Sequence, residues 1–169
     1  MPLERMPRQD AAAHVDFSAY HNEYIKNDGD LMNHQRILEL STSGRGTSNI
    51  TEAVAQVVAE SGVETGLAHV FVQHTSCSLT ITENADPNVR RDLETILARL
   101  APDGDPAYRH DLEGPDDMAA HARSVLTGPG LSVPIGGGRM LLGTWQGIYL
   151  WEHRTDTQLR RVVVTVLGA

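Results

Sequence analysis

A chain of 169 residues, 40% apolar and 21% charged, has the make-up of one well-packed domain. Its formal net charge of −8 argues against a nucleic-acid partner, because phosphate backbones need a cationic surface. One cysteine excludes an internal disulfide and fits a reducing compartment, and no apolar run approaches the length of a membrane span.

The N-terminal "MPLERMPRQDAAAHVDF" has no apolar core of the signal-peptide kind, so the expected location is the cytoplasm. A turn-forming cluster, Asn27-Asp28-Gly29-Asp30, marks the first break. Residues 1–31 read as an attached arm, in which Phe17, Tyr20, Tyr24 and Ile25 can form one short packed helix. Residues 32–169 read as one continuous domain, and Met32 is a possible alternative start.

"QRILEL" (35–40) alternates as a half-buried strand does. A loop of small polar residues follows, and Asn49 can cap a helix in which Ile50, Val54, Val57 and Val58 form a stripe ended by Gly62. "AHVFVQH" (68–74) and "SLTIT" (78–82) are strand-like. Asp86 and Pro87 signal a second helix, lined on one face by Val89, Leu93, Ile96, Leu97 and Leu100. A third helix is expected from about Pro115 to Gly128, with an apolar stripe of Met118, Ala122 and Val125. The C-terminal third reads as strands: "LSVPI", a turn at Gly136-Gly137-Gly138, "RMLLG", "QGIYLWEH" and "LRRVVVTVL". The last two are joined by "RTDT", which suits a hairpin. About seven strands and three helices make an α+β domain. Alternation places Trp145, Tyr149 and Trp151 on one strand face and Gln146, Ile148, Leu150 and Glu152 on the other.

The stretch "YRHDLEGPDDMAAH" (108–121) concentrates acids and histidines. Asp116 and Asp117 fall in the first turn of the third helix, where the helix dipole favours carboxylates. That accounts for the acids but not for His121, four residues beyond Asp117 on the same face. A preceding-loop histidine, His110, with an Asp117/His121 pair is a plausible ligand set for a divalent ion, zinc or magnesium. Further polar groups cluster in "QHTSCS", with His74, Thr75 and Ser76, and in "TENADP", with Glu83, Asn84 and Asp86. "WQGIYLWEHR" adds Gln146 and Arg154. Cys77 reads as a small buried residue, not a nucleophile. No G-x-S-x-G elbow is present, and the triple glycine reads as a turn because no helix follows it.

"HTSCSLTITENADP", "HDLEGPDDMAAH", "GTWQGIYLWEHR" and "RRVVVTVLG", in this order, closely resemble the motifs of the YjbQ-like family, also called the secondary thiamine-phosphate synthase enzyme family. The resemblance runs from about His34 to Gly168. It implies two packed β-sheets in a sandwich with flanking helices, and a homotrimer. It also implies weak thiamine-phosphate synthesis, joining a pyrimidine pyrophosphate to a thiazole phosphate. On that reading His74, Glu83, Asn84 and Asp86 are catalytic candidates, and Thr75, Ser76, Gln146 and Arg154 are substrate-binding candidates. From the residues themselves, His110, Asp117 and His121 are expected to help bind a divalent metal, with His74, Glu83 and Asn84 lining the same pocket. His74 can come from the same or a neighbouring subunit, and Arg154, Arg90 or Arg45 can reach a phosphate. Partners are then a second and third copy of the chain and a small phosphorylated metabolite, with no nucleic acid and no membrane. The same residues also fit a metal-dependent hydrolase, or a trimeric metal- or metabolite-binding protein without catalysis.

Overall fold

The valine-rich C-terminal segment organises the fold. In this computed structural model, which describes residues 32–169 and the backbone of two short upstream strands, that segment is a central strand. In chain order the strands are β1 (His14–Asp16), β2 (Glu23–Tyr24), β3 (Met32–Ser41) and β4 (Gly46–Asn49). Helix α1 (Thr51–Ser61), β5 (Thr65–Val72), β6 (Cys77–Glu83), α2 (Pro87–Leu100) and α3 (Asp117–Thr127) follow. Four strands close the chain: β7 (Gly130–Gly136), β8 (Arg139–Met140), β9 (Gln146–Glu152) and β10 (Leu159–Gly168). The helix expected between Phe17 and Ile25 is not the conformation of Glu23–Tyr24, which pair with β3; the rest of that stretch lies outside the described residues.

The larger sheet has the order β1-β3-β10-β5-β7-β8, with β2 also paired to β3, and the smaller has β4-β9-β6. Every pairing is antiparallel. The sheets pack face to face through residues of alternate phase. Leu38 and Leu40, Ala68, Val70 and Val72, and Val162, Val164 and Val166 face Leu79, Ile148 and Leu150. Helix α1 closes one side of this core with Val54, Val57 and Val58. The two-sheet α+β sandwich with three helices expected from the sequence is therefore the fold.

One local expectation was wrong, and a second was wrong only for Trp145. "RTDT" does not turn a hairpin: β9 lies between β4 and β6, and β10 lies between β3 and β5 in the other sheet. Residues 153–158 therefore cross from one sheet to the other. Trp145 precedes β9 and is exposed, whereas Tyr149 and Trp151 are buried on the sheet face opposite Ile148 and Leu150. Trp151 donates Nε1–H to Glu94 of α2 at 2.7 Å, so this face carries α2.

The helix ends follow local chemistry. Asp86 accepts from the Asn88 N–H at 2.8 Å and caps α2. Asn49 accepts from the backbone N–H (3.0 Å) and hydroxyl (2.6 Å) of Thr51, one residue ahead of the geometric cap Ile50 of α1. Gly137 and Gly138, with φ of 58° and 69°, make the tight turn between β7 and β8.

Candidate metal centre

The site forms where α3 meets the loop after β5 and the crossover after β9. Gly114, at φ 104°, turns the chain into α3. A Cβ there would lie 3.3 Å from Asp116 and 4.0 Å from Arg154, so the glycine admits both to the same corner. Asp116 accepts from the Thr155 N–H at 2.9 Å and from Arg154 Nε at 3.1 Å. Burial alone would raise the Asp116 carboxyl, but these bonds outweigh it and hold it below the usual carboxylate range.

Asp117, only 2% exposed, is the pivot. Its Oδ1 is paired with Arg154 Nη1. Its Oδ2 lies 2.7 Å from His110 Nε2 and 3.3 Å from His121 Nε2. One ligand atom from each of these residues lies within 4.8 Å of the others. Around a tetrahedral ion with bonds of about 2.1 Å, ligand atoms stand roughly 3.4 Å apart, a spacing the His121 contact matches. His121 Nδ1 donates to the Thr75 carbonyl at 2.9 Å. That bond puts a proton on Nδ1 and turns Nε2 towards Asp117, the orientation that metal-binding histidines take elsewhere. His110, at 2.7 Å, is instead hydrogen-bonded to Asp117 and would have to give up that proton and open to the wider spacing; with that change, two imidazoles and a carboxylate are a donor set that fits a divalent ion.

The surrounding frame was not read from the sequence. Arg160 is buried and donates to both oxygens of buried Glu152, at 2.7 and 2.5 Å. Thr42 donates to Glu152 Oε2 at 2.9 Å. Glu152 Oε1 accepts from the backbone N–H groups of His153 and Arg154, both at 3.0 Å, and so fixes the segment that delivers Arg154. Arg160 Nη2 also donates to the Ser76 hydroxyl at 3.1 Å, which fixes the loop carrying the Thr75 carbonyl. One buried ion pair thus supports both sides of the centre. The signal for it existed: Arg160 is in phase with Val162, Val164 and Val166, and Glu152 with Ile148 and Leu150.

The other candidates divide between the two ends of the small sheet. His74 and Thr75 join His121 around a mainly apolar cleft of about 520 Å³ that also includes Phe71 and Val125. His74 Nε2 accepts from the Arg161 N–H at 3.0 Å. Burial, with Arg160 beside it, lowers the His74 pKa, and the Arg161 bond occupies its Nε2 lone pair. Ser76 and Arg154 are committed to Arg160 and to the aspartates, so neither presents itself for substrate. Glu83 and Gln146 line a different cavity with Trp145. Asn84 donates to the Gln146 carbonyl at 3.3 Å, and Asp86 caps α2. Six residue steps along β6, from Cys77 to Glu83, span about 20 Å. Glu83 and Asn84 therefore do not line the metal pocket within one chain. Cys77 is buried, and burial pushes its thiol up to about 12, so it is not a nucleophile.

The family model described as "UPF0047 protein YjbQ-like" matches residues 35–169. The chain belongs to the UPF0047 YjbQ-like family. This UPF0047 chain is 51% identical over 135 residues to a UPF0047 protein of Synechocystis sp., covering 80% of this chain and 92% of the relative. It is 44% identical to the UPF0047 protein YjbQ of Escherichia coli O157:H7, covering 80% and 98%. Among solved structures, a YbjQ-like protein of unknown function from Sulfolobus solfataricus P2 superposes with a TM-score of 0.76 at 24% identity, over 82% of this chain and 99% of that one, and shows the shared fold. A conserved hypothetical protein from Thermus thermophilus gives 0.67 at 42% identity, over 75% and 96%.

Proposed function

We propose that this UPF0047 protein is a metal-assisted enzyme of the thiamine-phosphate synthase type. It would join a pyrimidine pyrophosphate to a thiazole phosphate with loss of pyrophosphate. The observation that carries the reading is the convergence of His110 Nε2, His121 Nε2 and Asp117 Oδ2 beside a cleft. Two imidazoles and one carboxylate suit zinc better than magnesium, which prefers oxygen ligands. When bound, a divalent ion would neutralise charge on the departing pyrophosphate. Asp117 keeps its carboxylate oriented because Arg154 holds the other oxygen. His121 keeps Nε2 inward because Nδ1–H is tied to Thr75. Phe71, on the rim of the cleft, offers an apolar surface to an aromatic ring.

Metal-dependent hydrolysis of a phosphorylated metabolite is the second reading, favoured by the same donor set, which serves zinc hydrolases. A third holds the protein to metal or metabolite binding without catalysis. The protein is proposed to act as a cytoplasmic homotrimer, consistent with the exposed apolar side chains Val125, Leu126 and Leu159. No helix among the described residues is long and apolar enough to cross a membrane.

The test is product analysis with protein loaded with zinc or with magnesium. Both thiamine precursors, and each precursor alone, are supplied to the wild type and to His121→Ala. Thiamine phosphate formed by the wild type and lost in the variant supports the synthase. Release of phosphate from one precursor alone supports the hydrolase. Metal binding without turnover supports the non-catalytic role.

A further inference from the structure

A second cavity, of about 370 Å³, lies between the β4 loop and α2, apart from the metal centre. Its lining includes Arg45, Arg90, Arg91 and Glu94, with Thr47, whose strand partner Trp151 is on the face that carries α2. Three arginines on one small cavity are unexpected in a chain with a net charge of −8.

The carboxylates nearby do not cancel them. Glu94 accepts from Trp151 Nε1 at 2.7 Å and is paired with buried Arg123 at 3.4 Å. Asp103 is held by both terminal nitrogens of Arg45, at 2.7 and 2.9 Å, and by Arg123 at 3.3 Å. On the lining itself Arg45 and Arg91 stand against Glu94 alone (2 − 1), with Arg90 left out of the count, while Asp103, outside the lining, is shared by Arg45 and buried Arg123.

Two of the three cations are held in place by the fold, and the third is free to turn to a ligand. Arg45 is fixed by Asp103 and by its Nε bond to the His153 carbonyl at 3.0 Å. Arg90 lies over the Tyr149 ring, 5.0 Å from its centroid, and donates to the Glu83 carbonyl at 3.1 Å. Arg91 is exposed and makes a 3.1 Å bond to its helix neighbour Asn88, a contact that an incoming acceptor can replace. Cations with a hydroxyl donor in a small cavity recognise compact anions, and an arginine fork suits phosphate oxygens. The cavity is too small to take a nucleic-acid strand as its ligand.

We propose that this cavity binds the phosphate or diphosphate group of a small soluble metabolite, with Arg91 as the principal ligand-contacting cation. The site does not depend on the metal assignment. The Gly44 position abuts the Thr155 carbonyl, and Thr155 N–H holds Asp116, so the cavity loop and the metal helix share one connecting segment.

The experiment is calorimetric titration of inorganic pyrophosphate into the full-length, chelator-treated protein at about 50 mM and 200 mM salt. The expected result is saturable binding to one site per chain, weakened by the higher salt. Arg91→Gln should weaken it at least tenfold, and Thr47→Val several-fold, with unchanged circular dichroism. His121→Ala should bind as the wild type does. Absence of saturable binding at millimolar pyrophosphate would overturn the proposal, and so would equal affinity in Arg91→Gln. Loss of binding in His121→Ala alone would move the anion to the metal centre. Binding to vesicles containing phosphatidic acid, with none to pyrophosphate, would replace the soluble ligand with a lipid surface.

Discussion

The buried Arg160–Glu152 pair shows how much one residue position can carry. Both side chains are almost fully buried, and each lies in the phase of core residues. Removing one partner leaves the other charged and unpaired, at a cost of about 3–5 kcal/mol. Arg160→Met should therefore lower stability by that amount in denaturant unfolding, and Arg160→Met/Glu152→Leu should recover a large part of it. A double variant as unstable as the sum of the singles would show that the pair is not coupled. His153, beside them, is fully buried, with Ser78 Oγ 2.8 Å from its Nε2. Burial, with Arg123, Arg45 and Arg160 nearby, pushes its pKa down to about 3. Its folded pKa lies below the unfolded value of 6.5, so its contribution is fully present above pH 6.5. That contribution is lost as the pH falls from 6.5 towards 3, and on the order of 4 kcal/mol is at stake. The denaturant midpoint should fall across that window, with a flatter profile in His153→Gln. A pH-independent midpoint between pH 6.5 and 3.5 would contradict the assignment. Arg160 was hidden in the sequence because a charge inside a strand looks like a surface residue until its phase is compared with the core, and without Arg160 the in-phase Glu152 had no partner to announce it. The proximity of His110, Asp117 and His121 was legible because an i,i+4 pair shares a helix face and the preceding loop folds back onto it.

At the scale of elements, the sequence was readable where periodicity meets a flat partner and misleading where a helix packs closely. β3, β5, β6 and β10 alternate and were found with small shifts at their ends. In α3 the expected stripe was misplaced. Val125 is 85% exposed, and the buried positions are Asp117, Ala119, Ala120, Arg123 and Ser124. Small residues let the helix approach β6 closely enough for the Ser124 hydroxyl to donate to the Cys77 carbonyl at 2.8 Å. In α2 only Leu97 is buried, while Ile96 and Leu100 are exposed, because the helix covers Trp151 with a narrow face. The β9–β10 crossover could not be read from "RTDT", since strand order is fixed by distant pairing partners. Ile148→Ala, at the centre of the small sheet, should cost about 2–5 kcal/mol in unfolding free energy. Leu100→Ala should cost under about 1 kcal/mol in a single chain. Equal losses would show that α2 buries a wider face than described.

For the whole molecule, the exposed apolar side chains on α3 and at the start of β10 bear on assembly. Light scattering should give three times the mass of one chain, and Leu126→Asp should lower it without loss of secondary structure. A monomeric mass at micromolar concentration would contradict the trimer. Arg154 links the crossover segment to Asp116 and Asp117 of the α3 start, so Arg154→Gln should weaken any zinc affinity about 10–100-fold in calorimetric titration. The central claim is the three-residue centre itself. Its most direct test is calorimetric titration of zinc into chelator-treated wild type and His121→Ala, with circular dichroism verifying the fold of both. One zinc per chain in the wild type, with affinity reduced at least tenfold in the variant, is the expected result. Absence of stoichiometric zinc binding by the folded wild type, or equal affinity in His121→Ala, would contradict it.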